Sequence, residues 1–139
     1  MKKTISIIII IGFIISLTFC TNVTKNKPLN EIPSFKISPD SIQRTFNSMI
    51  SAEHVNICGH EKISVSSKKI VLEIDILNGN NIPSDNNDRK ALSKKIASFI
   101  KYALQNQNAY DEYLIKYMKK SKGSSISSSE AYEFRNEQL

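Results

Sequence analysis

The sequence predicts an α+β domain: a two-layer α-ββ-α-ββ sandwich in which two helices cover one face of a four-stranded, mainly antiparallel sheet. Two apolar stripes with helical spacing occur along the chain, and each is followed by segments in which apolar and polar residues alternate. The 139 residues, with two Cys and four Gly, suffice for one small domain. They exclude a disulfide framework and a Gly-rich phosphate loop.

The first helix is predicted to begin after Ser38. Ser38 is a favourable N-cap, Pro39 suits the first helical position, and Asp40 places a negative charge at the positive end of the helix dipole. An apolar stripe then continues toward Glu53. It consists of Ile42, Phe46, Met49 and Ile50.

The spacing of apolar residues changes to two after His54, which predicts a pair of strands. The first strand has apolar residues at 55, 57, 63 and 65, and the second has them at 70, 72, 74 and 76. We expect a turn at residues 66–68, and we expect Asn78 to Asn81 with Pro83 to end the hairpin. One face of the second strand is wholly aliphatic, so another element must pack against it and bury it.

A second helix is predicted to supply that cover. Residues 85–88 place acids and Asn at its start, and the opposite side of the helix is rich in lysine. Its apolar stripe consists of Leu92, Ile96, Phe99, Ile100 and Ala103.

The segment 110–119 fits both a helical stripe and a strand face. Residues 126–135 have the pattern of a strand, and a strand needs a neighbour for its backbone hydrogen bonds. We therefore expect residues 111–119 and 126–135 to form a second hairpin.

The N-terminus has the pattern of an export segment. Two lysines precede an apolar run from Ile5 to Phe19, which is shorter than the ~20 residues that cross a membrane as a helix. We predict a signal peptide over 1–19, a polar lipid-anchored tether over 20–37 and the folded domain over 38–139. An uncleaved membrane anchor is the alternative.

The residues Leu17-Thr18-Phe19-Cys20 resemble the lipobox of bacterial lipoproteins, although that family usually has Gly, Ala or Ser where Phe19 stands. The resemblance implies export, cleavage before Cys20 and attachment of lipid, including palmitate, to its sulfur. It implies a membrane-attached protein of the cell envelope that faces the periplasm. The element order and the tyrosine run of 110–117 are similar to small envelope lipoproteins of AT-rich bacteria such as Bacteroidota, which implies no activity.

The sequence offers one set of candidate metal ligands, His54, Cys58 and His60. Steps of two residues along a strand separate side chains by ~7 Å, which is too far for one tetrahedral zinc site. We expect no catalytic residue, no metal site and no cofactor. The alternative is an envelope metal-dependent or thiol enzyme centred on Cys58 and His60.

A basic stretch over 88–122 holds nine basic and three acidic residues. We predict a partner-binding patch for an acidic envelope protein or an anionic lipid headgroup; the alternative is that its tyrosines are core. The predicted patch consists of Tyr113, Tyr117, Lys116, Lys119 and Lys120. An exported protein is not expected to meet nucleic acid. The sequence thus predicts a lipid-anchored envelope protein with a non-catalytic binding or structural domain.

Overall fold

The structure, a computed structural model, describes residues 32–120 and 128–139 and the backbone of residues 18–19 and 126–127. The helices are α1 (Pro39–Met49) and α2 (Asn86–Ala103), and two 3-10 turns span Gln107–Ala109 and Asn136–Gln138. The strands are β1 (Thr18–Phe19), β2 (His54–Ile63), β3 (Lys68–Leu77), β4 (Glu112–Lys120) and β5 (Ile126–Arg135). Cys20 and its predicted lipid lie outside the described residues.

The strands form one mixed sheet in the order β1-β2-β3-β4-β5. The pairs β2–β3 and β4–β5 are antiparallel hairpins, whereas β3 and β4 are parallel because the chain crosses over through α2 between them. The short β1 pairs in parallel with residues 56–57 of β2. The four long strands and two helices confirm the predicted α+β arrangement, with its mainly antiparallel sheet.

Both helices begin at side-chain caps. The backbone N–H of Ser41 donates to the Ser38 hydroxyl at 3.3 Å, and Pro39 occupies the first turn as predicted. At α2, the Asp85 carboxylate accepts from the N–H groups of Asn87 at 2.8 Å and Asp88 at 3.1 Å. These bonds satisfy helix N–H groups that have no partner within the helix, so they fix where each helix starts.

The core lies between the helices and one face of the sheet. Helix α1 contributes Ile42 and Phe46, and α2 contributes Ile96 and Ile100, all of them buried. The rings of Phe46 and Phe99 meet edge to face at 6.2 Å between centroids, which joins the two helices. The buried sheet residues on this side are Val55, Ile57, Leu72, Ile74, Ile76, Tyr113, Ile115, Tyr117 and Phe134.

The turn after β3 requires a left-handed residue, and Asn78 adopts φ 51° there. Its N–H donates to Met118 O at 2.9 Å, and its side-chain oxygen accepts from Lys120 N–H at 2.9 Å. A Cβ on the following Gly79 would lie 2.7 Å from Ile82 Cδ1. The turn therefore fixes the end of β3 against the end of β4.

The folded part begins earlier than the predicted boundary at residue 38. Phe35 forms an isolated β-bridge with Leu104, and the N–H of Lys36 donates to Ala103 O at 2.9 Å. Phe35 also packs against the core. Residues 32–37 thus belong to the domain rather than to the tether, because they cover the end of α2.

Within the described part of the chain, no helix combines the length and the apolar character needed to cross a bilayer.

Candidate functional site

The sheet has two chemically different faces. Residues paired directly across neighbouring strands share a face, so the register assigns each side chain to the helix side or to the opposite side. We call the side away from α1 and α2 the open face. Its central residues are His54, Asn56, Cys58, His60 and Lys62 of β2, Lys69, Val71, Glu73, Asp75 and Leu77 of β3, and Glu112, Leu114, Lys116 and Met118 of β4.

The predicted aromatic patch is wrong, because Tyr113 and Tyr117 belong to the core. They are 0% and 6% exposed and face the helices. The Tyr117 hydroxyl hydrogen-bonds to the Ser93 hydroxyl of α2 at 2.9 Å. Burial raises the pKa of Tyr113 to about 12 and also raises that of Tyr117. The tyrosines therefore hold α2 on the sheet, which is the alternative that the sequence left open.

The three lysines of that predicted patch do not form one surface with the buried tyrosines. Lys116 is on the open face, where its ammonium lies 2.5 Å from the Glu73 carboxylate of β3. Lys119 and Lys120 are exposed at the end of β4, next to an irregularity in its pairing with β5. Any role of these lysines in binding a partner stays a prediction.

The residues His54, Cys58 and His60 do share the open face, as the strand pattern predicted. His60 Nδ1 lies 3.7 Å from a Glu73 carboxylate oxygen. Among the described residues, no three His, Cys, Asp or Glu side chains are arranged to hold a metal ion. The Cys58 sulfur is disulfide-bonded rather than a free thiol. A sulfur in that state cannot serve as a nucleophilic thiolate.

A buried carboxylate joins four strands on the open face. Glu112 is 2% exposed, and its carboxylate is paired with the ammonium groups of Lys69 and, at 3.5 Å, Lys62. Lys62 also lies 2.8 Å from Glu133 of β5. Burial alone would raise the pKa of Glu112, but the two lysines hold that pKa below its ordinary value. This cluster links β2, β3, β4 and β5 by charge.

A second acidic group lies on β3. The Oδ1 atom of half-buried Asp75 has no hydrogen-bond partner. Burial and the nearby negative charge of Glu73 raise the pKa of Asp75 to about 6, while Lys116 and a hydrogen bond with Asn56 oppose the rise. Glu73 and Asp75 thus form a carboxylate pair in which one member is readily protonated near pH 6.

A cavity of about 540 Å³ opens at the end of the sheet where β4 begins and β5 ends. Lys101 Nζ donates to Asn136 O at 2.7 Å, and the amide of Asn136 donates to Tyr110 O at 2.9 Å and Gln107 O at 3.3 Å. Lys69 is engaged with Glu112 as above. These contacts tie the C-terminal turn to the end of α2 and to the loop before β4.

Sequence reasoning missed both carboxylate clusters. The signal was present as Glu73 and Asp75 interrupting an aliphatic strand, and as Lys116 at the same face of β4. Without the register between β3 and β4, those charges could not be matched as partners. The open face is consequently a network of paired charges instead of an aromatic patch.

Comparison with known proteins identifies no relative, since no family profile, curated protein or solved structure matches this chain. The fold and the two clusters therefore have to be interpreted from their own chemistry.

Proposed function

We propose that this protein is a lipid-anchored protein of the cell envelope, facing the periplasm, whose folded domain is a non-catalytic binding or structural module. The observation that carries the proposal is the N-terminal sequence, in which a basic start and an apolar run end on Cys20. Lipid on that sulfur would attach the chain to the membrane through buried acyl chains.

The core and the sheet bear differently on removal of the export segment. The hydrophobic core of the described residues draws on side chains from Phe35 to Leu139. Cleavage before Cys20 keeps those side chains but removes β1, which pairs with residues 56–57 of β2. Twelve residue steps separate Cys20 from Ile32, the first described residue after it, which leaves room between a lipid and the domain.

The polar groups of the open face support a non-catalytic role. Glu112 is bound by two lysines, and Glu73 lies against Lys116 and His60. Charges engaged in this way stabilise strand pairing and leave little freedom for acid–base work on a substrate. We therefore assign them to the stability and shape of the surface.

The state of Cys58 gives the proposal a second readout. The chain has two cysteines, so Cys20 is the one residue within the chain that could be the disulfide partner of Cys58. A sulfur atom cannot carry both a lipid and a disulfide. Cys58 is disulfide-bonded in the structure, so lipid on Cys20 requires that this bond is absent from the lipid-bearing form, in which Cys58 reacts as a free thiol.

The proposal is tested by metabolic labelling with a clickable fatty acid in the native host, comparing wild type, Cys20→Ser and the matched control Cys58→Ser. We expect label on wild type and on Cys58→Ser, and none on Cys20→Ser. Equal label on Cys20→Ser would reject lipid on Cys20. Absence of label from all three proteins would also reject lipid on Cys20. In that case, resistance of Cys58 to alkylation in the wild type would favour a disulfide at Cys58.

A further inference from the structure

We propose that one side of α2 lies flat on the anionic headgroup surface of the membrane that anchors the protein. This side, the α2 outer face, consists of Lys90, Ala91, Lys94, Lys95, Ser98 and Tyr102. The inference rests on the proposed anchoring and adds to it an orientation of the domain and a class of lipid.

The α2 outer face is the part of the helix turned away from the core. At 100° per residue, its members occupy an arc of roughly 140°. Lys90, Lys94 and Lys95 are exposed, whereas Ile96 and Ile100 on the other side of the helix are fully buried. The face runs along a helix of 18 residues, about 27 Å in length.

The charge on this face has one sign. From Arg89 to Leu104 the sequence contains no acidic residue. Among the described residues, no carboxylate lies within 4.0 Å of Lys90, Lys94 or Lys95. Glu133 lines the groove beside the first two, but it is paired with Lys62 at 2.8 Å.

The lysines of the sheet are arranged differently. Lys62, Lys68, Lys69 and Lys116 each lie within ion-pair distance of a glutamate. A lysine-rich composition accounts for the number of lysines, but it does not explain why Lys90, Lys94 and Lys95 share one helix face while four lysines of the sheet are paired with glutamates. The three helix lysines are complementary to a negatively charged surface.

The segment that begins at Ile32 lies at the end of α2, whereas Thr18–Phe19, which the proposed cleavage removes, pair with β2. The Asn106 side chain just after α2 donates to Ile32 O at 2.9 Å, and Gln105 N–H donates to Ser34 O at 2.7 Å. The twelve residue steps from Cys20 to Ile32 can span at most about 40 Å. The whole length of α2 is therefore within reach of a membrane that holds Cys20.

An exposed aromatic residue marks the same end of α2. Tyr102 is 68% exposed, and Lys36 Nζ lies 4.2 Å from the centre of its ring. Tyrosine is favoured at the boundary between membrane and water, and lysine beside it is attracted to anionic headgroups. The anchored end thus presents an aromatic ring and a cation together.

The shape of the face favours lipid over an acidic protein. Small residues, Ala91 and Ser98, lie among the lysines of a convex helix surface. Tight protein interfaces bury anchoring side chains in well-packed pockets, whereas mobile headgroups adapt to spread charges. A bilayer that contains an anionic phospholipid is the occupant to which these observations point.

The test uses the protein purified from membranes and reconstituted into vesicles of phosphatidylcholine, with or without about 30% phosphatidylglycerol. Amine acetylation rates are measured for each lysine by mass spectrometry. We expect the rates at Lys90, Lys94 and Lys95 to fall about 3-fold or more in the anionic vesicles and to recover in about 1 M NaCl, where screening is nearly complete. Lys68, exposed at the start of β3 and paired with Glu61, is the control and should keep its rate.

Equal rates in both vesicle types would overturn the proposal. Protection in native envelopes without protection in anionic vesicles would also overturn it and would indicate a protein partner. Flotation of the vesicles tests anchoring separately: absence of the protein from floated neutral vesicles contradicts the anchor, whereas equal lysine rates in protein that does float contradict only the orientation of α2. Lys94→Glu with Lys95→Glu should abolish protection at Lys90 and leave the melting temperature unchanged.

Discussion

Replacing Asp75 with Asn should stabilise the protein at neutral pH. Asp75 Oδ1 is buried without a hydrogen-bond partner, and the Glu73 carboxylate lies on the same face of β3. The amide of Asn has the same shape and no charge, and it can donate to Glu73 as a protonated Asp75 would. The substitution therefore removes the cost of holding two negative charges together in a half-buried place.

The sign and size of the effect follow from the pKa. A pKa raised from 3.8 to about 6 in the folded state means that folding favours the protonated form. The free energy of unfolding of the wild type therefore falls as pH rises from about 4 to about 6, and it levels off above that. Two pKa units correspond to about 3 kcal/mol at most. Because the side chain is only half buried, we expect about 1–1.5 kcal/mol.

Thermal or urea unfolding of wild type and Asp75→Asn over a pH series measures this difference. The gain in the free energy of unfolding should be small at about pH 4 and complete above about pH 6.5. Glu137→Gln, at an exposed carboxylate, is the matched control and should show a small effect at every pH. The reasoning is refuted if Asp75→Asn destabilises the protein, or if its effect does not grow between these pH values.

Three further substitutions, with Lys95→Ala as a control, test the packing and the charge cluster. Ile96→Ala should lower the free energy of unfolding by about 2–5 kcal/mol, because Ile96 is fully buried. Lys95→Ala, at the neighbouring exposed position, should change that free energy by less than about 0.5 kcal/mol. If urea unfolding gave similar effects for the two variants, the orientation of α2 would be contradicted. Tyr113→Ala should cost about 3–5 kcal/mol, and an unchanged melting temperature would show that the ring is outside the core. Glu112→Gln should cost about 1–3 kcal/mol at neutral pH. The cost of Glu112→Gln should shrink as pH falls below about 4.5, because the ionised form of Glu112 is the stabilising one. A cost that does not change with pH would argue against the pairing of Glu112 with Lys62 and Lys69.

The fold could be predicted because each element has a local cause in the sequence. Ser38 and Pro39 fix the start of α1, and the aliphatic face of β3 requires the cover that α2 provides. The choice of a hairpin over a helix for β4 depended on the backbone of β5, which needs a neighbour, and the structure pairs them in antiparallel register. These signals act within a few residues or follow from unsatisfied backbone groups.

The composition of the open face could not be predicted from the sequence, because it depends on which set of alternating β4 side chains points toward the helices. Tyr113 and Tyr117 alternate with Leu114, Lys116 and Met118, so both faces of this strand have apolar residues. The parallel register with β3 decides that the tyrosines meet α2 and that Lys116 meets Glu73. Shifting that register by one residue would exchange the two sets. Long-range pairing of this kind leaves no mark in a single sequence.

The role of the N-terminus is tested most directly by the mass of the intact protein isolated from membranes. The account predicts a chain that begins at Cys20 and carries diacylglycerol and fatty acyl groups. In this form Cys58, which is disulfide-bonded in the structure, should be a free thiol open to alkylation. A chain that still begins at Met1, or one without lipid whose two cysteines are oxidised to a disulfide, would contradict it.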